Sequence, residues 1–120
     1  MLEIIPNMPE NMPTETVVAA VRRVARINPD RDAVVCDGTR LSWAEFDLAI
    51  NQAANMLIAR GVTRGDRVAV LSPNSIAYAV LFMGILRAGG CVVPLSTMAS
   101  SDALEKMVKD CGARVFCLAE

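Results

Sequence analysis

The sequence predicts an α/β protein in which a parallel βαβαβ sheet layer, covered by helices, is preceded by a helix and a β-hairpin. From Asp66 onward, short apolar runs alternate with segments of helical periodicity in the order strand, helix, strand, helix, strand. Crossovers of this length join parallel strands through right-handed connections. Upstream, Asp37-Gly38 separates two short strand patterns, which predicts a tight hairpin because both residue types tolerate positive φ.

The chain begins with a stretch that we expect to be an irregular arm, residues 1–13, because its three prolines prevent a regular helix. Thr14 or Thr16 can then cap a helix that runs to about Ile27. In that helix Val17, Val21 and Val24 recur at helical spacing and should face inward.

Three arginines, at positions 22, 23 and 26, lie together on the opposite side of this first helix. They could bind an anion, but a solvated polar face is the simpler explanation and the interpretation that we favour. Asn28 and Pro29 then end the helix.

The hairpin is expected to pair Ala33–Cys36 with a strand that begins at Arg40–Leu41. Ser42 follows, and Glu45 stands three residues later, so the two can form a capping box for a second helix. That helix should present an apolar stripe and a polar stripe, and Gly61 should supply its left-handed stop. The apolar stripe comprises Phe46, Ile50, Ala53 and Leu57, and the polar one comprises Asp47, Asn51 and Asn55.

The segment after Gly65-Asp66 predicts a strand with both faces covered, Arg67–Leu71, followed by a helix over residues 75–88. Ser72, Asn74 or Ser75 can cap this helix, which is apolar almost all round between Ile76 and Leu86. A helix of that kind is normally buried in a larger body.

Gly89 and Gly90 raise the question of a phosphate-binding loop. Phosphate fingerprints place their glycines after a strand and before a helix, so that amides at the helix N-terminus face the anion. Here the order is reversed, because the two glycines end a helix and lead into a strand. We therefore interpret the pair as a helix stop.

The remaining elements are a strand over Cys91–Leu95, a helix capped by Ser100 or Ser101 that ends near Cys111, and a strand over Val115–Leu118. Inward-facing positions of this helix should be Leu104, Met107, Val108 and Cys111, with Asp102–Lys106 and Glu105–Lys109 as ion pairs. The carboxyl ends of parallel strands are where ligands bind, but the residues there offer only hydroxyls and one amide.

The amino-acid composition excludes several classes of partner and site. The net charge of the 120 residues is -1, which gives no indication of nucleic acid as a partner. The absence of histidine excludes histidine metal ligands and general bases. Four cysteines, at positions 36, 91, 111 and 117, adjoin apolar runs and form no C-x-x-C pair, so buried free thiols are favoured over a zinc site or a redox pair.

The N-terminus lacks the basic start and the apolar core of a signal peptide, and the longest apolar run is too short to span a bilayer. We expect a cytoplasmic protein without a transmembrane segment.

Three stretches resemble the N-terminal region of the AMP-forming acyl-CoA synthetases and their adenylating relatives. "LSWAEF" (Leu41–Phe46) is similar to the family's Leu-Thr/Ser-aromatic-x-Glu-Leu segment. "GVTRGDRVAVLSPNS" (Gly61–Ser75) is similar to its Gly-x-x-x-Gly-Asp-x-Val run ending in Pro-Asn-Ser. "LRAGGCVVPLS" (Leu86–Ser96) is similar to its Lys/Arg-Ala-Gly motif followed by a strand and a proline. Many members continue that motif with Asn-Pro or Asp-Pro, where this chain has Ser96-Thr97, so the subfamily stays open.

The resemblance implies that residues 14–120 are the first part of the large N-terminal domain of an acyl-activating ligase. Such a ligase adenylates a carboxylic acid with ATP and magnesium and then transfers the acyl group to coenzyme A. The family's phosphate loop, its ribose-binding aspartate and its catalytic lysine have no counterpart in these 120 residues. We therefore assign no catalytic, cofactor-binding or metal residue, and expect this chain alone to be inactive.

Two hypotheses remain at this point. The chain is either the N-terminal scaffold portion of such a ligase or a stand-alone α/β module for binding or assembly. The scaffold hypothesis predicts that the apolar helix over Ile76–Leu86 has a side left open to water, so that the isolated chain self-associates.

Overall fold

A computed structural model describes residues 15–119, and the predicted N-terminal arm, with Thr14, lies outside them. Four helices and five strands follow one another in this range. None of the described helices is long and apolar enough to cross a membrane. The helices are α1 (Val17–Ile27), α2 (Trp43–Ala59), α3 (Ile76–Arg87) and α4 (Ser101–Cys111), and the strands are β1 (Asp32–Cys36), β2 (Thr39–Ser42), β3 (Arg67–Leu71), β4 (Cys91–Pro94) and β5 (Val115–Leu118).

The parallel sheet is confirmed. β3 lies in the centre, with β4 paired to it on one side and β5 on the other, both in parallel. Because the two flanking strands lie on opposite sides of β3, right-handed crossovers place α3 and α4 on opposite faces of the sheet. The predicted hairpin is also confirmed: β1 and β2 pair antiparallel in a separate sheet, with Asp37 and Gly38 at positive φ in the turn.

The helix boundaries follow the predicted caps. The hydroxyl of Thr16 accepts a hydrogen bond from the Ala19 amide, and Ser42 and Glu45 form the complete capping box. Ser75, rather than Ser72 or Asn74, caps α3, and Ser100 caps α4. These caps satisfy amides that the first helical turn leaves without an intrahelical partner.

The main core lies between the sheet and the α2–α3 pair. Val68 and Val70 of β3 pack there with Leu57, Val62 and Ile85, all of them almost fully buried. A second cluster joins α1, α2 and the hairpin through Val21, Phe46 and Ile50. β3 is covered on both faces, as predicted, because Ala69 on its other face is also fully buried.

Close packing of α2 on α3 is made possible by Gly84. A Cβ atom built on Gly84 would lie 2.6 Å from the Cβ of Ala53 and 3.3 Å from the backbone nitrogen of Ala54. Arg87, one turn later, reaches back to α2: its Nη2 lies 2.7 Å from Oδ1 of Asp47, and its Nη1 donates to the Asn51 side chain and the Asp47 carbonyl. The Arg87 side chain is only 5% exposed.

Several inward-facing predictions are wrong. Val17 is exposed because α1 begins with it and no described element covers its first turn. The predicted apolar stripe of α2, by contrast, is confirmed, because Ala53 packs against Gly84 of α3, and the other three members of the stripe are buried, as is Ala54. Met107 is exposed because α4 buries no side chain completely. Of the two predicted α4 ion pairs, Glu105–Lys109 forms at 2.7 Å, whereas the described contacts contain no Asp102–Lys106 pair.

The exposed apolar surface lies elsewhere than predicted. Most α3 side chains are half-buried, and Ala77 is its only exposed apolar residue in the described structure. The large exposed apolar side chains instead include Met56 and Ile58 at the end of α2 and Phe116 and Leu118 on β5. α3 is therefore largely covered by α2 and the sheet, and one part of the open apolar surface lies at the β5 edge.

Candidate functional site

The carboxyl edge of the three-stranded sheet is the place where this class of fold binds ligands. β3, β4 and β5 end level with one another at this edge, because the Leu95 amide donates to the Val70 carbonyl at 2.8 Å and the Ala119 amide donates to the Leu71 carbonyl at 3.0 Å. The loops that follow β3 and β4, residues 72–75 and 95–100, therefore lie at one edge.

Hydroxyl groups dominate this carboxyl edge, and most of them already serve the local backbone. The oxygens of Ser75, Ser96 and Ser100 accept hydrogen bonds from the amides of Tyr78, Met98 and Ala103. Ser72 is only 7% exposed, and its hydroxyl donates to the Pro73 carbonyl at 2.8 Å. No residue in either loop carries a charge. Such an edge can hold a polar group, but it has neither a general base nor a cation for a triphosphate.

Gly89 and Gly90 form a helix stop, as predicted. Gly89 has a φ of +84°, and its amide donates to the Leu86 carbonyl at 3.0 Å. The Gly90 amide donates to the Ile85 carbonyl at 2.9 Å, and a side chain there would approach Ile85. Both amides are used within the fold, so they do not form a cradle for a phosphate.

The four cysteines are free thiols, but the prediction that they are buried is wrong: Cys91 is exposed, and Cys36, Cys111 and Cys117 are only half-buried. Burial raises the pKa of Cys117, and burial together with the neighbouring Asp37 carboxylate raises the pKa of Cys36. Both thiols therefore stay protonated at neutral pH, which makes them poor nucleophiles and poor metal ligands. Within residues 15–119, no three cysteine or acidic side chains are grouped closely enough to hold a metal ion.

The arginines of α1 form an exposed face. Arg22 and Arg26 lie in solvent, and Arg23 forms a double hydrogen bond with Glu15 at 2.9–3.2 Å. That hydrogen bond lowers the pKa of Glu15. The arrangement supports the interpretation of a solvated polar face.

A groove at the outer edge of β5 was not predicted from the sequence. It has a volume of about 370 Å³ and lies beneath the last turns of α2, beside the strand edge that β3 does not pair. Its lining is apolar except for one arginine: Met56, Leu57, Arg60, Leu81, Val115, Phe116, Cys117 and Leu118. Periodicity identified each of these elements, but it could not reveal that the last turns of α2 and the strand β5 line one groove.

Comparison with known proteins yields a consistent set of relatives. A family model described as AMP-binding enzyme matches residues 21–119. The long-chain-fatty-acid–CoA ligase FadD13 of Mycobacterium tuberculosis is 33% identical over 97 residues, which cover 79% of this chain and 19% of that protein. Feruloyl-CoA synthase of an Amycolatopsis species is 41% identical over 96 residues, which cover 80% of this chain and 19% of that protein.

Solved structures of acyl-CoA ligases share the fold of this chain. The crystal structure of the N-terminal domain of FACL13 from Mycobacterium tuberculosis superposes with a TM-score of 0.83 at 29% identity, covering 88% of this chain and 27% of that domain. This chain thus spans about a fifth of the length of the curated CoA ligases that it matches.

Proposed function

This chain belongs to the AMP-binding enzyme family, and from that premise we propose that it forms the first part of the large N-terminal domain of an ATP-dependent carboxylic acid:CoA ligase. The observation that carries the proposal is the match of residues 21–119 to the family together with the βαβαβ fold common to this chain and the N-terminal domain of FACL13. In this proposal residues 14–120 belong to that domain.

The role proposed for these residues is that of a scaffold. The core between the sheet and α2–α3 would hold the carboxyl edge in place, and the uncharged loops after β3 and β4 would adjoin the ligand site. ATP, magnesium and coenzyme A need cationic and carboxylate groups that the carboxyl edge does not contain. Other parts of such a ligase would therefore supply those groups, and we assign no catalytic residue to this chain.

The substrate class is proposed only as a carboxylic acid. One relative is named for long-chain fatty acids and another for the aryl acid of feruloyl-CoA, at similar coverage of this chain. No described residue at the carboxyl edge distinguishes an alkyl chain from an aromatic ring.

Isothermal titration calorimetry tests the scaffold role directly. We expect the 120-residue chain to show no saturable binding of ATP at millimolar concentration, with or without magnesium, because its hydroxyls and glycine amides are already used within the fold. Saturable, magnesium-dependent binding would contradict this assignment and would point to the amides around Asn74 and Ser75.

A chimera tests the ligase proposal itself. Residues 21–119 would replace the matching segment of FadD13, and ATP–pyrophosphate exchange would be measured with a panel of fatty and aryl acids. We expect exchange to be retained at a reduced rate, since the segment supplies shape rather than chemistry. Val70→Asp, at a buried position of β3, is the control that should abolish folding and exchange together. A folded chimera with no exchange would favour a stand-alone module.

A further inference from the structure

Four arginines lie together at the amino edge of the sheet, opposite the carboxyl edge. Arg67 begins β3, and the amide of Arg114, just before β5, donates to its carbonyl at 2.9 Å. Arg60, which also lines the β5 groove, is the C-cap of α2, and Arg64 lies in the turn that leads into β3. We call Arg60, Arg64, Arg67 and Arg114 the amino-edge arginines; all four are exposed.

Their side chains and backbone cluster around the ends of three helices. Gly61 follows α2, and a Cβ atom built on it would lie 3.9 Å from Nη2 of Arg114. Gly112 follows α4, and a Cβ atom built on it would lie 3.4 Å from Nη1 of Arg67. Gly89 follows α3, and a Cβ atom built on it would lie 3.5 Å from the Cα of Arg64. Helix C-termini carry a partial negative charge of about half a unit each, which favours basic residues there.

The amino-edge arginines nevertheless outnumber their fixed counter-charges. Asp66 is the carboxylate among them, 3.9 Å from Arg114, and it already accepts hydrogen bonds from the amide and the hydroxyl of Thr63. Asp110 lies on the outer face of α4, where Lys106 and Lys109 also lie. In the described residues, side-chain hydrogen bonds from arginine come from positions 23, 40 and 87, so the four guanidiniums keep their donors for water or a ligand.

We propose that the amino-edge arginines form a docking surface for a segment of a partner protein rich in aspartate and glutamate. Guanidinium forks bind carboxylates through paired hydrogen bonds. The four groups are spread over the end of α2, the turn before β3 and the starts of two neighbouring strands, which suits several carboxylates along an extended segment better than one phosphate. Nucleic acid is the weaker candidate, because the amino-edge turns carry no aromatic side chain for base stacking and the chain has a net charge of -1.

The test is a binding measurement by fluorescence anisotropy with a labelled eight-residue Glu/Asp peptide, at low salt and at a protein concentration where light scattering shows a monomer. We expect Arg64→Glu/Arg114→Glu to weaken binding at least tenfold, and the milder Arg64→Gln to weaken it about twofold to threefold. Arg22→Glu/Arg26→Glu, which makes the same charge change as the double variant on the exposed face of α1, is the matched control and should weaken binding by less than about 1.5-fold. Circular dichroism establishes that each variant is folded, and Arg64→Gln keeps the test valid if the double variant is not.

Three results would overturn the proposal. One is no binding of the peptide by the unsubstituted chain at 50 mM salt or below. Another is equal weakening by the α1 control, which would mean that only net charge matters. The third is tighter binding of a single-stranded oligonucleotide or of inorganic pyrophosphate at the same surface, which would identify a different class of ligand. The surface is remote from the carboxyl edge, so these outcomes do not depend on the ligase proposal.

Discussion

Replacing Gly84 with alanine should destabilise the chain, although alanine is the better helix former. Gly84 lies inside α3, where it is buried against α2. The added Cβ would be 2.6 Å from the Cβ of Ala53 and 3.3 Å from the backbone nitrogen of Ala54, whereas carbon atoms in good contact lie about 3.5–4.0 Å apart. The two helices would therefore have to separate by about 1 Å.

The magnitude follows from two opposing effects. Overpacking of this kind costs about 1–3 kcal/mol, and a contact with a helix backbone falls toward the upper end because backbone cannot rotate away. Removing a helical glycine returns about 1 kcal/mol through helix propensity. We expect a net loss of about 2 kcal/mol in the free energy of unfolding. For a domain of this size that loss lowers the melting temperature by about 8 °C or more.

A double-mutant cycle in urea supplies the assay. Ala53→Gly removes the atom that the new side chain would strike, so Gly84→Ala/Ala53→Gly should be more stable than the sum of the single changes predicts, by about 1 kcal/mol or more. Gln52→Gly, at the exposed neighbouring position, is the control for the propensity cost and should show no coupling to Gly84→Ala. Stability of Gly84→Ala equal to that of the original chain, or strict additivity in the cycle, would refute the packing argument.

Three further predictions concern charge and surface. Asp47→Ala should lower the free energy of unfolding, measured in urea, by about 3 kcal/mol because it leaves the buried Arg87 charge without a carboxylate. Asp32→Ala breaks an exposed ion pair of the hairpin and should lower it by less than about 1 kcal/mol. Equal losses in the two variants would contradict this prediction. Hydrogen bonds from the amide and the hydroxyl of Thr63 hold the pKa of Asp66 low, so the stabilising effect of this carboxylate is present above the ordinary aspartate pKa and is lost as pH falls through the lowered value. The difference in melting temperature between Asp66→Asn and the original chain should therefore disappear in acid, and a difference independent of pH would exclude this explanation. Light scattering should show that the isolated chain self-associates and that Leu118→Lys lowers the average molecular mass of the associated species. A monomer at high micromolar concentration would disprove association through the exposed β5 surface.

Local sequence signals predicted most of the fold. The Ser42–Glu45 capping box, the Asp37-Gly38 turn and the Gly89 stop each act within a few residues, so their geometry can be read from the sequence alone. Burial in β3 was predictable for the same reason, because a short uninterrupted apolar run is typical of a strand covered on both faces.

The errors concern contacts between elements. Helical spacing identified the correct stripe on α4, but it could not show that Met107 lies beyond the edge of what that stripe covers. The position of β3 between β4 and β5 depends on the order of strands, which periodicity does not encode. The β5 groove and the amino-edge arginines arise from elements distant in the sequence, so they become visible only when the sheet is assembled.

The central position of β3 has a consequence for synthesis on the ribosome. β3 and β4 can pair once Pro94 has emerged, but the other edge of β3 has no strand partner until Val115–Leu118 follows, roughly 45 residues after Leu71. At about 5–20 residues per second, the nascent chain exposes that edge for roughly 2–9 s. Unpaired apolar edges template association with other chains, so slowing translation between codons 72 and 118 should lower the soluble yield of the chain.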